Sequence, residues 1–451
     1  MMNKSHTNKK YIREIETIVK EGLCLRCGTC VGICPNDAII LNEDYYPYCP
    51  DYEICNDCGL CLKVCPGIEV NLPEIVKQTF GEIDYDYYSN GFFTKPYIGK
   101  TTDENILEKA SSGGVVTQLL DSLLNENIIQ GAIVTTSCYD KPWKAEPILA
   151  RKSDEILESA QSKYSVSPVN SLLKELENLD GKIAYVGLPC HIHGLKKAIS
   201  LKSKLKDKIY IIIGLLCSTN IEEISTKDML WASKIKEQDV KKIEFRKGDW
   251  PGKTGVKVKN GTQKELHHLS HKEGAFVFLM RLYPCNRCLY CIDASSEFAD
   301  ISVGDPWIKD EKGSYKYSGG WSLVIERTNK GKEVLSDIKS RNKLILKQIP
   351  ENDLFESNKT VLYIKKKINS IRLDRAKKGG KIVPNYHIKL PNFTTKDFIN
   401  ERFYALTLIF RKSRFFQRLI VKILVSRPGL ILIYLKRIIR KILNPNKKRK
   451  Y

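Results

Sequence analysis

The chain has 451 residues, 42% of them hydrophobic and 28% charged, which suits a globular protein of two or three domains. Its net charge is +22, but residues 401–451 hold fifteen Lys and Arg against the single acid Glu401, so most of the basicity belongs to the tail and a nucleic-acid surface spread over the whole protein is excluded. Fifteen cysteines, an odd number in a long chain with a polar amino terminus, exclude a secreted disulfide scaffold, and no apolar run approaches the roughly 18 residues of a membrane span.

In chain order the first element, residues 15–75, reads as a ferredoxin domain. Cys24, Cys27, Cys30 and Cys34 are followed by Pro35, and Cys55, Cys58, Cys61 and Cys65 by Pro66. Both runs are C-x2-C-x2-C-x3-C-P, the bacterial two-cluster 4Fe-4S spacing in which the fourth cysteine of each run serves the other cluster. By that rule Cys24, Cys27, Cys30 and Cys65 hold one cluster, and Cys55, Cys58, Cys61 and Cys34 the second. Gly28 and Gly59 are expected to leave room for backbone N–H groups to reach the sulfurs. Zinc ribbons also use C-x2-C pairs, but not two complete four-cysteine runs with both prolines. Cys49 fits neither run and reads as a bystander.

Residues 95–345 alternate between strand and helix patterns. Helices are expected over Gly113–Leu124, Leu172–Leu179 and Gly194–Ile199, and strands over Gly131–Ser137, Ile183–Val186 and the apolar run Ile209–Leu216. This predicts an α/β layer fold. Cys138, Cys190 and Cys217 each follow one of those strands, where open α/β sheets gather ligands. Cys285, Cys288 and Cys291 come next, ahead of a further strand and turn at Ala299–Asp305. Thiols at one sheet edge with a separate C-x2-C can hold a third cluster, or can be ordinary buried cysteines. The stretch Ser111-Ser112-Gly113-Gly114 opens a helix, where N–H groups can meet a cofactor phosphate or merely be capped.

These residues carry a resemblance. The chain resembles the coenzyme F420 hydrogenase/dehydrogenase beta-subunit family, which includes 7-hydroxymethyl chlorophyll a reductase. The matching stretches are the twin cysteine runs, Ser111-Ser112-Gly113-Gly114-Val115-Val116, Ser162-Lys163-Tyr164, Gly187-Leu188-Pro189-Cys190, Cys288-Leu289-Tyr290-Cys291-Ile292-Asp293 and Ala299–Asp305. The resemblance implies an α/β flavin-binding domain, in two parts at 95–180 and 181–345, joined to an amino-terminal bacterial-type α+β ferredoxin domain. It also implies a third 4Fe-4S cluster on Cys190, Cys217, Cys288 and Cys291, with Cys285 an extra thiol. FAD would lie against Ser111, Ser112, Gly113, Gly114 and Val115, with Lys163, Gly187 and Pro189 nearby. The family usually has Gln after Pro-Cys where this chain has His191. That histidine is expected either to act on flavin or substrate as a catalytic group or simply to pack at the helix start.

After an extension at 346–400 comes a basic helical tail at 401–451. Arg414, Arg418 and Lys422 share one helix face, while Phe415, Phe416, Leu419, Ile423 and Leu424 cover the other. The pattern resumes with Lys436, Arg437, Arg440 and Lys441 and ends in Lys447–Lys450. It suits an anionic membrane surface, or a helix packed on its own domain with a solvated basic face. The expectation as a whole is a cytoplasmic FAD- and iron–sulfur-dependent oxidoreductase, peripheral on the inner membrane face. Its redox partner would be coenzyme F420, ferredoxin or NAD(P)H. The alternative is a non-catalytic electron-transfer subunit.

Overall fold

The computed structural model describes residues 9–270, 275–311, 314–426 and 431. The amino-terminal module opens with the helix Lys10–Lys20, whose Ile12, Ile15 and Ile18 are buried. Two short strands, β1 (Ile40–Leu41) and β2 (Pro47–Tyr48), pair antiparallel. Each cysteine run turns into a short helix, Thr29–Ile33 or Leu60–Lys63, through a left-handed glycine, Gly28 (φ 82°) or Gly59 (φ 74°). Both glycines also have close neighbours. A Cβ at Gly28 would lie 2.6 Å from the Pro168 carbonyl oxygen and the Ser171 nitrogen, and one at Gly59 would lie 3.1 Å from the Tyr11 ring. Glycine is required there for the turn and for close packing.

The main domain is built on an eight-stranded sheet. Its strands are β3 (Lys95–Thr101), β4 (Gly131–Ser137), β5 (Ala145–Ala150), β6 (Ile183–Gly187), β7 (Ile209–Leu215), β11 (Ile301–Gly304), β12 (Ser322–Glu326) and β13 (Leu344–Gln348). The order is β13-β3-β12-β11-β7-β6-β4-β5. The centre, β11-β7-β6-β4, is parallel, with Val186 opposite Ile213 and Ile133 opposite Tyr185. The outer strands run antiparallel. The β6 segment is buried along its whole length, which is what a continuous apolar run in a covered parallel sheet requires. Helices Val115–Asn125 and Asn329–Ser340 pack Leu119, Leu123 and Ile338 on one face, and helix Pro189–Leu201 with the 3-10 helix Val169–Asn178 packs Ile192, Leu195 and Leu173 on the other.

The expected strands over 131–137, 183–186 and 209–216 form where the pattern placed them. The 172–179 segment takes 3-10 geometry instead of α. The helix expected from Gly113 starts at Val115, behind a left-handed Gly114 (φ 69°). Strands β8 (Val240–Lys247), β9 (Lys253–Val258) and β10 (Gln263–Ser270) form a separate antiparallel sheet that periodicity did not announce.

Beyond the sheet, helices Glu351–Leu362 and Asn369–Lys378 are joined by a π turn at Tyr363–Ile368. Thr395–Thr407 and Arg414–Val425 follow. The last of these corrects the expectation for the tail. Arg414 and Arg418 stay half exposed but donate to the buried Asp228 carboxylate at 2.8 and 3.2 Å, Val421 and Leu424 are the apolar residues buried, and Phe415, Phe416, Leu419 and Ile423 are exposed. A buried carboxylate needs a cation within reach, and the two arginines supply it from the helix flank. No helix of the described residues is long and apolar enough to cross a membrane. The basic pattern at 436–450 lies outside the described residues.

Candidate functional site

Three groups of thiols assemble. Burial, then repulsion from Cys24, Cys27, Cys65 and Cys61, pushes the Cys30 pKa well up. After burial, Cys65 is also the leading neighbour of Cys24. Cys61 is pushed up to about 12 by burial, with Cys58, Cys34 and Cys55 around it. The fold thus carries the fourth cysteine of each run to the other run's first three. Cys58 is exposed to solvent.

The third group forms beyond the carboxyl ends of β6 and β7. Cys190 sits in the first turn of Pro189–Leu201, Cys217 follows β7, and Cys288 and Cys291 flank the end of the 3-10 turn Asn286–Tyr290. Burial raises the Cys190 pKa well above the usual thiol value, reinforced by Cys217, Cys288, Cys27 and Cys291. Cys285 lies beside this group. It hydrogen-bonds to Cys288, which draws Cys288 down and pushes Cys285 up, and it accepts from Arg26 Nη2 at 2.9 Å. Cys138 stays outside, its N–H donating to the Lys144 carbonyl at 2.9 Å in the loop between β4 and β5. Cys49 donates to the Asp51 carbonyl at 3.2 Å. Among the described residues no three His, Cys, Asp or Glu are placed to hold a single metal ion. A four-iron cluster asks for something different, one thiolate for each iron, and each group supplies four thiols.

A lysine that the sequence did not single out completes the third group. Lys365 is 2% exposed on the π turn. Burial alone would lower its pKa, but Cys291, Cys217 and Cys288 outweigh that and raise it. Asn369, at the end of the same turn, donates to the Cys288 and Cys291 carbonyls at 3.1 and 2.8 Å and so holds the C-x2-C loop. Lys366 pairs with the buried Glu297. A π turn inside a helix is rare and tends to occur at functional sites, and its presence here is structural information that no periodicity carries.

Beside the third group lies a cavity of about 650 Å³ whose lining includes Cys217 and Cys288. Ser111, Ser112, Gly114, Val115, Lys163, Gly187 and His191 also line it. The Ser111 hydroxyl accepts from the Ser162 N–H at 2.9 Å, which brings the Lys163 segment to the helix start. Gly113 is not in the lining: its N–H donates to Ser322 Oγ at 2.9 Å, and a Cβ would overlap the Gly99 carbonyl oxygen. Pro189 is likewise outside the lining, buried in the first turn of its helix. The Lys163 ammonium donates to the carbonyls of Ser159 and Ala160, and burial followed by the charge of Lys242 pulls it down to about 7. His191 is spent on the backbone. Its Nδ1 accepts from the Leu188 N–H at 3.2 Å, burial lowers it to about 4, and a hydrogen bond to the Ser167 backbone opposes that fall. These contacts hold its ring at the helix start, beside the cavity it lines. On the opposite wall Arg246 chelates Asp305 at 2.6 and 3.1 Å, and Trp250 Nε1 donates to the same carboxylate at 2.9 Å. Asp305 was visible as the end of the Ala299–Asp305 stretch, whereas its partner Arg246 was not.

The ferredoxin module is docked tightly on this site. The Asn170 N–H donates to the Cys27 carbonyl at 2.9 Å, and its side-chain amide donates to Thr29 Oγ1 and the His191 carbonyl, both at 2.8 Å. Arg26 pairs with Glu222 at 2.8 Å. Gly194 permits the approach, since a Cβ there would overlap Thr29 Oγ1. Gly194→Ala is therefore expected to destabilise the protein by about 1–3 kcal/mol through overpacking, a fall of several degrees in Tm. Adding Thr29→Ala should recover part of that fall in calorimetry, and a single variant as stable as the parent would contradict the close contact.

Residues 97–174 match the amino-terminal domain of the family described as coenzyme F420 hydrogenase/dehydrogenase, beta subunit; residues 180–352 match its carboxy-terminal domain, and residues 17–40 the 4Fe-4S binding domain. The last match spans the first cysteine run only. The coenzyme F420-dependent sulfite reductase of Methanocaldococcus jannaschii is 29% identical over 75% of this chain, which spans 50% of that relative's length. The coenzyme F420 hydrogenase subunit beta of Methanosarcina barkeri is 32% identical, covering 53% of this chain and 80% of that one. In a solved structure of the F420-reducing [NiFe] hydrogenase complex from Methanosarcina barkeri, one chain superposes with a TM-score of 0.53 at 27% identity, covering 68% of this chain and all of its own length.

Proposed function

Because the chain belongs to the coenzyme F420 hydrogenase/dehydrogenase beta-subunit family and carries a 4Fe-4S binding domain, we propose that it is an iron–sulfur flavoprotein oxidoreductase working between three 4Fe-4S clusters and FAD, and on to coenzyme F420 or another small redox substrate. One observation carries this reading: the third thiol group lies between the first ferredoxin group and the cavity. Cys27 is a neighbour of Cys190 on one side, and Cys217 and Cys288 line the cavity on the other.

The clusters would supply single-electron transfer, and the flavin the exchange between one- and two-electron chemistry. The chain's own residues do the rest. Cys190, Cys217, Cys288 and Cys291 would hold the third cluster, with Lys365 as its buried counter-charge. Gly114 and Val115 offer a helix start, and Lys163 an ammonium held by backbone carbonyls, so that end of the cavity suits a phosphate. The volume lies within the range of roughly 300–1,000 Å³ found for ligand pockets. Val134, Leu215 and Val303 line it and keep that part of the wall apolar. His191 acts as a positioning residue for the Pro189 turn. On the same reading the protein works in the cytoplasm at the inner face of the membrane, reached through its basic tail. A second reading, a non-catalytic subunit serving a partner enzyme, is favoured by relatives named as hydrogenase subunits.

The test is anaerobic purification of the protein alone, identification of the released flavin, and a screen of reduced F420, NAD(P)H and reduced ferredoxin for flavin bleaching. FAD is expected, with turnover of a small acceptor in the absence of a partner. Bleaching without such turnover would favour the second reading, and absence of FAD after reconstitution would overturn the flavin assignment. Because only the charged form of Lys163 attracts a phosphate, FAD affinity should rise as pH falls through about 7, and Lys163→Met should flatten that dependence.

A further inference from the structure

The described part of the C-terminal segment presents an apolar ridge to solvent. Phe403 and Phe415 are 66% and 71% exposed, and Leu406, Ile409, Phe416 and Leu419 are exposed with them. Phe410, in the 3-10 turn Ile409–Lys412 between helices Thr395–Thr407 and Arg414–Val425, meets Phe416 edge-on at 5.9 Å, and Phe416 meets Phe415 at 5.6 Å. Scattered surface hydrophobics are ordinary, but so many large apolar side chains exposed along one short segment mark an interaction site. The ridge is held outward, because Arg414 and Arg418 are tied to Asp228 while Val421 and Leu424 are buried beneath.

Charge names the occupant. Arg402, Lys412 and Lys422 stand exposed among the apolar residues, and residues 427–451 add nine Lys and Arg without one Asp or Glu. An apolar protein partner would gain nothing from that excess. A polynucleotide would want flat stacking partners, and aliphatic Leu406, Ile409 and Leu419 offer none. An anionic bilayer uses both features, apolar insertion at the interface and attraction of headgroups.

We infer that the ridge formed by Phe403, Leu406, Ile409, Phe415, Phe416 and Leu419 inserts into the interfacial region of an anionic bilayer. This rests on the reading of the protein as working at the membrane face, and it assigns the salt-resistant part of that attachment to these side chains. Tyr404 and Leu408 of the same segment line the 650 Å³ cavity, so a docked protein holds that cavity close to the bilayer. A redox substrate that partitions into the membrane would then be within reach.

The experiment is sedimentation of the full-length protein with phosphatidylglycerol vesicles and with phosphatidylcholine vesicles, at low salt and at about 0.5 M salt, where the Debye length is only a few ångströms. One variant carries Phe403→Ser, Phe415→Ser and Phe416→Ser. A second carries Gln at Lys447, Lys448, Arg449 and Lys450. The parent should bind the anionic vesicles and retain part of that binding at high salt. The serine variant should lose the retained part at least tenfold with unchanged circular dichroism, since the substituted positions are exposed. The glutamine variant should lose binding mainly at low salt. A serine variant that keeps its high-salt binding overturns the ridge assignment, and the membrane reading then stands on the glutamine result. A parent that binds no vesicle overturns both. A parent that self-associates, and a serine variant that does not, would give the ridge to a second copy of the chain and overturn the bilayer assignment.

Discussion

Replacing Cys217 with serine is expected to lower the iron content of anaerobically reconstituted protein from about twelve to about eight per chain, leaving the electron paramagnetic resonance signals of the ferredoxin clusters in place. The thiol has no substitute on its own strand: it follows β7 alone, its N–H fixed to the Ala294 carbonyl at 3.0 Å. Cys288 would be a less decisive choice, because Cys285 is hydrogen-bonded to it and stands ready to take its place. The ferredoxin groups should survive because all eight of their thiols lie between Cys24 and Cys65, on a module with its own buried cluster of Ile12, Ala38 and Ile39. Eight irons in the unmodified protein would rule out the third cluster, and with it the link between the ferredoxin module and the cavity.

The second large effect is on a potential. Lys365→Met should shift the reduction equilibrium of the third cluster at least tenfold toward the oxidised form, which is about 59 mV or more for a one-electron couple. Reduction adds negative charge beside a buried ammonium. At an effective dielectric of about 20, a unit charge some 4 Å away is worth on the order of 4 kcal/mol, and relaxation and water entry return part of that. Lys365 is suited to this role because the groups that act on its charge are the thiols Cys291, Cys217 and Cys288, whereas its neighbour Lys366 pairs with Glu297. Redox titration followed by paramagnetic resonance measures the shift, with the ferredoxin clusters as internal references. Lys365→Arg should keep most of the parent potential. If the methionine variant retains both its iron and its potential, the lysine only packs.

What the sequence determined by itself was the local chemistry. Spacing within each cysteine run is a covalent fact, so eight thiols and their proline turns could be named before any fold. The same holds for the apolar strands ending near Cys190 and Cys217, because a buried parallel strand must be continuously apolar whatever surrounds it. What only the tertiary structure decided depends on residues far apart in the chain. Cys138 follows a strand just as Cys190 does, yet its backbone is held in the loop to the edge strand β5, and the cysteines that act on Cys190 are Cys217, Cys288, Cys27 and Cys291. Lys365 and Asn369 belong to an extension with no cysteine in it, and they reach the C-x2-C loop because a π turn places them there. Gly28 and Gly194 were legible as glycines, but the reason for them is a contact between two modules. Arg414 and Arg418 belonged on paper to a solvated basic face. Asp228, 186 residues before Arg414, is buried, and its carboxylate ties down the guanidinium ends of both arginines while the phenylalanines stay outside. Helical periodicity states which residues share a face. Which face is buried is set by the energy of the groups it meets, and those are supplied only by the folded chain.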